Sequence, residues 1–341
     1  MLFILTGLLS ACGDQVWNSP YPPEQADQNI LDSSFSERPK HLDPARSYSS
    51  NEVVFTGQIY EPPLQYHFLK RPYQLEPATV TTMPVPHYLD EQGLPLPADA
   101  PADKIAYSVY DIEIQAGIHY QPHPAFAKDQ QGQFLYHALS EQDLESVETL
   151  SDFHETGSRE LVAEDYALQI KRLAHPRLHS PILGLMSDYI VGLGDYATTL
   201  KQAFEDNSEV ESAAVSLDLR DYPLAGVEVL DRYRYRVRIH GKYPQFLYWL
   251  AMPFFAPVPW EADLFYSQPG LKERNISLDW YPLGTGPYML TVNNPNRQMV
   301  MERNPNFHGE RYPQEGENGD AEQGYLDDAG RPLPMIDKVI Y

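Results

Sequence analysis

"PLGTGPYML", residues 282–290, places two glycines and two prolines around a threonine and a tyrosine and then leads into an apolar run. Glycine has no side chain to keep another backbone away, and proline fixes the backbone torsion. The segment is too irregular for a helix and therefore predicts a tight, rigid turn that another backbone approaches closely. That backbone belongs either to a bound ligand or to a neighbouring part of the same fold, and the turn alone leaves both interpretations open.

The composition indicates a globular protein with mixed α and β structure. The 341 residues are 42% hydrophobic, which is enough for a buried core in one large or two ordinary domains. The 31 prolines and 24 tyrosines favour long ordered loops and aromatic surfaces over a helical bundle. With 48 acidic and 25 basic residues, the formal net charge is -23, which repels phosphate backbones. Nucleic acid is therefore not expected as a partner.

The amino-terminal stretch "MLFILTGLLSAC" is an apolar run that ends in small residues before Cys12, the only cysteine. A lone cysteine is usually a buried, inert thiol, but this run is typical of a secretory signal and is too short to span a bilayer. Leu9-Ser10-Ala11-Cys12 resembles the lipobox of bacterial lipoproteins. The resemblance implies a signal peptide over residues 1–11 and lipidation of Cys12, followed by a polar, proline-rich tether over residues 12–35. No Lys or Arg precedes the run, so either its basic region is missing or the true start lies upstream.

Two segments carry strong periodic signals. "RELVAEDYALQIKRLAHP", residues 159–176, has acids early, bases late and Pro176 as a stop, so it predicts a helix. Its apolar face consists of Val162, Tyr166, Ile170 and Leu173. "DRYRYRVRIHG", residues 231–241, alternates apolar residues with arginines and predicts a half-buried strand. The arginine face is either an anion-binding stripe or, as the acidic composition favours, a solvent-exposed face opposite carboxylates.

Other segments give weaker signals. Residues 51–69 suit a strand or a short helix equally well, and the proline-rich residues 84–101 predict a long surface loop. In residues 104–120 the apolar alternation changes phase after Val109, as it does in a bulged strand. The acidic, glycine-containing residues 312–334 lack the ligand spacing of a calcium loop and are interpreted as an insertion.

The sequence offers no catalytic or metal-binding constellation. It contains no nucleophile elbow, phosphate loop or zinc signature. His119 and His123 are four residues apart, but Pro122 lies between them and the segment suits a strand and turn, which argues against a metal pair. The acidic residues are too numerous to single out a glycosidase dyad. We therefore expect a protein that is not an enzyme and has neither a cofactor nor a bound metal.

Read in order, six segments resemble the oligopeptide and dipeptide class of bacterial solute-binding proteins, family 5, which serve ABC importers. In that class a leucine, an arginine, an acid and a glycine normally precede an aromatic residue, whereas Gln115 and Ala116 replace the arginine and the acid here. The segments are "ERPKHLDPARSYSSNEVVFTGQIYEPPLQYHFLKRPYQLEPA" (37–78), "YSVYDIEIQAGIHYQPHPAF" (107–126), "LVAEDYALQIKRLAHP" (161–176), "YPQFLYWLAMPFFAPVPWEA" (243–262), "GTGPY" (284–288) and "MERNPNFHG" (301–309).

The resemblance implies an α/β fold of the periplasmic binding protein-like type II, in which two lobes close around an extended peptide. It implies that residues 36–310 form the first lobe and residues 311–341 an incomplete start of the second. The chain stops on the strand-like "MIDKVIY", so we expect it to be the amino-terminal portion of a longer protein. The second-lobe residue that anchors the ligand cannot then be named.

The same resemblance supplies the ligand-binding candidates. The loop Arg46 to Asn51 is expected to give an edge to the peptide, and the glycine turn is expected beside the cleft. Ile182 occupies a position where some relatives have the tyrosine of Ser-Pro-Tyr. The candidates are Ser47, Tyr48, Ser49, Asn51, Ile182, Thr285, Gly286 and Tyr288.

The function that the resemblance implies is the capture of extended oligopeptides in the periplasm or at the cell surface and their delivery to the permease subunits of an ABC importer. A monomer that reaches the membrane only through its lipid anchor is expected. The same scaffold also binds nickel chelates, haem or oligosaccharides, and the first-lobe sequence does not discriminate among these solutes. An envelope hydrolase is the alternative from another class.

Overall fold

The computed structural model describes residues 20–208 and 217–341, and this part of the chain contains six α-helices. The segment that suited strand or helix equally well is resolved as the first of them. It begins after Ser49, whose side chain forms a reciprocal capping box with Glu52. The helices are α1 (Ser50–Ile59), α2 (Ala163–Arg172), α3 (Leu183–Tyr189), α4 (Leu193–Ser208), α5 (Phe246–Trp249) and α6 (Trp260–Tyr266).

The strands form two larger sheets and two short hairpin-like pairs. The five-stranded sheet has the order β5-β4-β6-β8-β7, the four-stranded sheet has the order β1-β13-β10-β9, and β2–β3 and β11–β12 form the short pairs. The strands are β1 (Ile30–Asp32), β2 (Leu64–Tyr66), β3 (Leu75–Pro77), β4 (His87–Leu89), β5 (Pro95–Leu96), β6 (Tyr107–Glu113), β7 (Val227–Val229), β8 (Arg234–His240), β9 (Tyr288–Asn294), β10 (Gln298–Arg303), β11 (Glu310–Arg311), β12 (Pro332–Leu333) and β13 (Lys338–Ile340).

The five-stranded sheet contains the predicted arginine-rich strand, β8. Tyr235, Val237 and Ile239 are buried, as predicted, and the arginines between them point to the other face. Arg236 donates to Asp111 of β6 at 2.6 Å, so the arginine face lies opposite carboxylates. This pairing confirms the expectation of a solvated face over that of an anion-binding stripe.

The predicted bulge in β6 is wrong. The strand pairs with β8 without interruption from Tyr107 opposite His240 to Glu113 opposite Arg234. Ser108, Val109 and Tyr110 are all buried, because both faces of the strand are covered at its centre. A strand covered on both faces loses the simple alternation of apolar and polar residues, which explains the change of phase in the sequence.

The predicted helix is α2, and it packs on the five-stranded sheet. Tyr166, Ile170 and Leu173 lie in the largest hydrophobic core, and the ring of Tyr166 stacks on Tyr235 of β8 with a centroid distance of 5.3 Å. The helix ends at Arg172, which is itself buried. Three of the four residues of the predicted apolar face are therefore buried in this core, whereas Val162 is the half-buried residue before the helix. The last turn lies deeper than its sequence indicates.

The four-stranded sheet forms a second core with α1. Phe55 and Ile59 of the helix pack with Tyr288 and Leu290 of β9. Strand β1 lies inside the segment predicted as a tether, and its exposed edge position leaves no apolar periodicity to reveal it. Strand β13 lies beyond the predicted lobe boundary at residue 310 and pairs with both β1 and β10. The lobe boundaries themselves stay predictions.

Two predicted loops contain short strands. Residues 84–101 hold β4 and β5, which extend the five-stranded sheet at its edge, where the missing N–H of Pro95 is tolerated. Residues 312–331 are closed at their base by β11 and β12 and contact the tip of the β2–β3 hairpin. There Lys70 Nζ donates to the Gly316 carbonyl at 3.1 Å, and Arg71 pairs with the buried Asp320.

The predictions for the amino terminus concern residues that lie largely outside the structure. The signal peptide over residues 1–11, the lipidation of Cys12 and the first part of the tether fall before residue 20. Across residues 20–208 and 217–341, none of the helices combines the length and the apolar character that crossing a bilayer requires.

Candidate functional site

The two groups of predicted ligand-binding residues lie at opposite ends of α1. The predicted loop Arg46 to Asn51 reaches into the helix, because Ser50 and Asn51 already form its first turn. The turn of residues 284–286 packs against the carboxyl-terminal end of the helix at Ile59. Ten helical residues span about 15 Å. The face of α1 between the two ends exposes Val53 and Val54, whose relative exposures are 46% and 42%.

The carboxylate of Glu52 fixes the backbone of the loop. Oε2 accepts the backbone N–H groups of Tyr48 and Ser49 at 3.0 and 3.2 Å, and Oε1 accepts those of Lys40 and His41 at 3.1 and 2.9 Å. Burial alone would raise the pKa of Glu52, but these hydrogen bonds outweigh burial and lower it. An ionised carboxylate in α1 therefore holds the loop and the segment before it in one conformation.

The loop presents one large aromatic side chain to solvent. Tyr48 is 67% exposed, and its ring lies 6.0 Å from that of the buried Phe254. Ser49 is exposed beside it. Asn51 donates from Nδ2 to the carbonyls of Glu37 and Arg38, at 3.2 and 3.1 Å, so its amide is used within the chain. Ser47 is buried, and its Oγ has no hydrogen-bond partner within the described residues.

The glycine turn is shaped to the last turn of α1. The N–H of Gly286 donates to the Ile59 carbonyl at 2.9 Å. A Cβ on Gly284 would lie 1.8 Å from that carbonyl oxygen, and one on Gly286 would lie 2.6 Å from the Gln58 oxygen. The turn therefore meets a backbone of the same fold at both glycines.

The remaining groups of the turn also face inward. The Gly286 carbonyl accepts Asn304 Nδ2–H at 2.9 Å, and Tyr288 donates its hydroxyl to the Ile336 carbonyl at 2.9 Å. Burial raises the pKa of Tyr288. Thr285 is fully buried, and its Oγ1 has no partner within the part of the chain that the structure describes. The Gly286 carbonyl and the side chains of Thr285 and Tyr288 therefore face the interior of the protein.

Beneath the loop lies a buried network of charges. Arg172 donates from Nη2 and Nη1 to the two oxygens of Asp43, at 2.7 and 3.0 Å, and from Nε to Asp263 at 2.9 Å. Burial opposes the charge of Arg172, but the two carboxylates outweigh it and raise the pKa of the guanidinium. The network ties the segment before the loop to the end of α2 and to α6.

A second ionic contact lies beside this network. Arg46, at the start of the loop, pairs with Asp279, and His41 Nδ1 lies 3.4 Å from the same carboxylate. Burial and the nearby Asp43 raise the pKa of Asp279, while Arg46 and His41 oppose that rise. The loop is thus held by charged contacts on two sides.

A comparison with family models decides the identity of the chain. Residues 153–341 match the model described as "Bacterial extracellular solute-binding proteins, family 5 Middle", which is more than half of the chain. The chain belongs to this family. Comparison with curated protein sequences gave no match.

Several solved structures share the fold of this solute-binding protein. The periplasmic binding protein DppA from Helicobacter pylori is 17% identical with a TM-score of 0.51, over 93% of this chain and 43% of its own. The murein tripeptide binding protein MppA from Escherichia coli is 13% identical with a TM-score of 0.53, over 92% and 42%. OppA from Listeria monocytogenes is 12% identical with a TM-score of 0.51, over 92% and 42%. The chain thus spans less than half the length of these proteins, and its fold is the expected α/β type II periplasmic binding protein-like fold.

Ile182, the remaining candidate of this solute-binding protein, lies apart from the exposed loop surface. It is 3% exposed at the start of α3 and packs in the largest core. A role in ligand binding stays a prediction for Ile182, as it does for the loop and turn residues.

The two spaced histidines of the solute-binding protein do not form a pair. His119 and His123 lie in extended backbone, bridged to Glu160 and Gly157 respectively. His123 is buried, and its Nδ1 accepts the Ala125 N–H. The proton of the neutral ring therefore lies on Nε2, which donates to the Tyr266 hydroxyl. Among the residues that the structure describes, no group of three or more His, Cys, Asp or Glu is arranged to hold a metal ion.

Sequence reasoning missed the charged residues that support the loop. Asp43 lies in the quoted segment of residues 37–78, and Arg172 is one of the late basic residues of the helix predicted over residues 159–176. The contact between them joins residues 129 positions apart. No local pattern encodes such a partner, so the only available signal was the presence of an acid in a segment shared with the family.

Proposed function

We propose that the chain is the ligand-binding part of a substrate-binding component of an ABC importer and that its ligand is an extended oligopeptide. The observation that carries the proposal is the loop Arg46 to Asn51, which exposes Tyr48 and Ser49 on a backbone fixed by Glu52. A rigid, exposed loop above a buried ionic network binds a ligand without first being ordered, which reduces the entropic cost of association.

The face of α1 suits an extended peptide. Four to five extended residues advance about 15 Å at about 3.3 Å each, which matches the length of α1. The exposed Val53 and Val54 offer apolar surface along that path. Two of the solved structures of like fold contain peptide: the Helicobacter pylori protein is in complex with the peptide STSA and the Listeria monocytogenes protein is bound to peptide.

The same proposal includes the cellular setting. The protein would act in the periplasm or at the cell envelope, held to a membrane through a lipid on Cys12, and would pass its ligand to the permease subunits of the importer. The lipobox-like Leu9-Ser10-Ala11-Cys12 supports this setting, because acyl chains on a cysteine would anchor a protein without a transmembrane helix.

Mass spectrometry of the ligand that co-purifies with the protein tests the ligand class. Peptides of mixed sequence are the expected result. Detection of a nickel chelate, haem or an oligosaccharide would instead show that the protein binds another solute. Hydrolysis products of an added peptide would favour an envelope hydrolase.

Calorimetric titration of a protein extended to the length of the relatives, with the peptides so identified, tests the site. Tyr48→Ala should weaken binding at least tenfold, about 1.4 kcal/mol, because the exposed ring is lost from the loop. Tyr73→Ala is the matched control, since Tyr73 is 77% exposed and lies outside the loop, on the β2–β3 hairpin. Equal affinities of the two variants for the peptide would show that the loop is not part of the binding site.

A further experiment tests the two-lobe clamp. Residues 12–341 alone should show no calorimetric binding at micromolar peptide, whereas a chain extended to the length of the relatives should bind. One lobe leaves the peptide's polar groups open to water, and a missing charge-assisted bond costs about 1.5–3 kcal/mol more. Equal binding by both proteins would place the whole groove within this chain.

A further inference from the structure

Three glutamates, one glutamine and one histidine meet between the β2–β3 hairpin and the segment that follows β10. Glu61 Oε1 lies 2.9 Å from His308 Nε2, and Gln65 donates from Nε2 both to Glu76 Oε1 at 3.1 Å and to Glu310 Oε1 at 2.5 Å. We call these five residues, Glu61, Gln65, Glu76, His308 and Glu310, the Glu61 cluster.

The Glu61 cluster has more acceptors than donors. Its three carboxylates present six oxygens, whereas Gln65 Nε2 and His308 Nε2 supply three N–H groups. Glu61 Oε2 is buried and has no partner within the described residues. With a neutral imidazole the cluster carries a charge of -3, and protons on His308 and Glu310 reduce it to -1. The side chains of Glu61 and His308 are only 14% and 19% exposed, so water screens this repulsion poorly.

Other contacts hold the chain on either side of the cluster. Asn306 donates from Nδ2 to the Tyr120 carbonyl at 2.8 Å, which holds the start of the segment. Lys70 and Arg71, at the hairpin tip, contact Gly316, Glu317 and Asp320. The hairpin also carries His67, whose Nδ1 accepts the Leu69 N–H, and Arg311 donates to the Gly330 carbonyl. The titrating contact is therefore confined to residues 307–312.

We propose that the Glu61 cluster is a pH-sensitive contact that fastens residues 307–312 to the β2–β3 hairpin in mildly acidic surroundings and loosens them as the pH rises. Protonation of His308 and Glu310 adds hydrogen-bond donors to the cluster and reduces the repulsion between its carboxylates. The contact is therefore strongest when both groups are protonated.

The pKa directions agree with this geometry. Burial opposes the charge of His308, but its hydrogen bond and attraction to Glu61 outweigh burial and raise its pKa above 6.5. Burial raises the pKa of Glu310 above 4.5, and the charges of Glu61 and Glu76 add to the rise while Gln65 opposes it. Both groups hold their protons more tightly in the folded state. Their stabilisation is complete below the ordinary values and is lost as the pH rises through the raised ones.

Hydrogen–deuterium exchange of the whole chain at pH 5.5 and pH 8.5, corrected for intrinsic exchange rates, tests the proposal. Protection of peptides covering Phe307–Tyr312 should fall at least tenfold between the two pH values, while peptides from α2 keep theirs. In Glu310→Gln, whose carboxamide imitates the protonated acid, the fall should be smaller than in the wild-type chain, because only His308 still titrates. Glu322→Gln is the matched control, because Glu322 is an exposed glutamate outside the cluster, in the insertion of residues 312–334. This variant should keep the tenfold fall.

A fall of less than threefold in the wild-type chain would overturn the proposal, as would equal behaviour of the two variants. The NMR titration of the His308 ring is a second measurement that needs no variant. Its midpoint should lie above 6.5 in the wild-type chain, and a midpoint at or below that value would overturn the proposal even if Glu310→Gln failed to fold.

Discussion

Asp43 and Arg172 are 129 residues apart in the chain, yet their side chains meet in the interior with Oδ2 and Nη2 2.7 Å apart. Each side chain is only 4% exposed. The pair joins the segment before the exposed loop to the end of α2, and Asp263 of α6 shares the guanidinium. The position of the loop therefore depends on charges that lie beneath it and out of reach of any ligand.

Asp43→Asn should lower the free energy of unfolding by about 3 kcal/mol, because it leaves a buried guanidinium with only one carboxylate. Urea unfolding followed by circular dichroism measures the change. Asp111→Asn is the control, since it breaks a pair with Arg236 in which both side chains are about one third exposed; it should cost less than about 1 kcal/mol. Equal losses would show that burial of the first pair adds nothing.

Gly284→Ala should prevent folding or lower the free energy of unfolding by more than about 4 kcal/mol, since the new Cβ would overlap the Ile59 carbonyl. Gly184→Ala, in α3 with no atom within 4 Å of the added Cβ, should be neutral or slightly stabilising. Thermal unfolding of both variants measures the contrast. Gly286→Val should behave like Gly284→Ala; if it kept its stability and lost peptide binding, the turn would serve a ligand and not α1.

His123 should make the protein less stable in acid. Burial lowers the pKa of His123 from 6.5 to about 3. Below pH 6.5 the unfolded chain therefore takes up a proton that the folded chain refuses, because Nδ1 faces the Ala125 N–H. This group alone should remove about 2 kcal/mol of unfolding free energy between pH 7.5 and pH 5.

His123→Gln should abolish that part of the pH dependence, whatever its effect at neutral pH. Denaturant unfolding at pH 7.5 and pH 5 gives the difference directly. His154→Gln changes an exposed histidine and should keep the wild-type difference. An equal difference in unfolding free energy between pH 7.5 and pH 5 in wild type and His123→Gln would show that His123 takes up its proton in the folded protein as well.

Cys12 should place the protein in the membrane fraction. Expression in a bacterial host with a complete signal sequence, followed by fractionation, should give a membrane-associated wild type and a soluble Cys12→Ala variant, because the acyl chains are the anchor. Equal solubility of the two proteins would refute lipid anchoring.

The sequence predicted the elements whose signals are complete within a short window. Helix α2 has an amphipathic face and charges suited to both ends, and β8 alternates over its full length. Short edge strands such as β1 and β5 were missed because exposed side chains need no apolar pattern. The bulge in β6 was predicted wrongly because cover on both faces disturbs the same alternation that a bulge disturbs.

The candidate site could be predicted only in part. The loop and the turn were both recognised from their residues, but their placement at opposite ends of α1 follows from the packing of Gly284 and Gly286 on Ile59. The rigidity of the loop depends on Glu52 and on the pairing of Asp43 with Arg172. Such contacts between distant positions are set by the whole fold, and a local pattern cannot contain them.

The position of β13 between β1 and β10 determines the order in which the sheet is built during synthesis. β9 and β10 pair with each other as soon as they emerge from the ribosome, whereas β1 hydrogen-bonds only to β13 within this sheet. Asn29 and its partner Asp337 are 308 residues apart, so at about 5–20 residues per second the first strand waits roughly 15–60 s for its neighbour. β10 itself emerges only about 35 residues before β13, so its edge is unpaired for roughly 2–7 s, during which it can recruit strands from other nascent chains. β13 thus joins β1 to β10 and covers the free edge of β10 in one step.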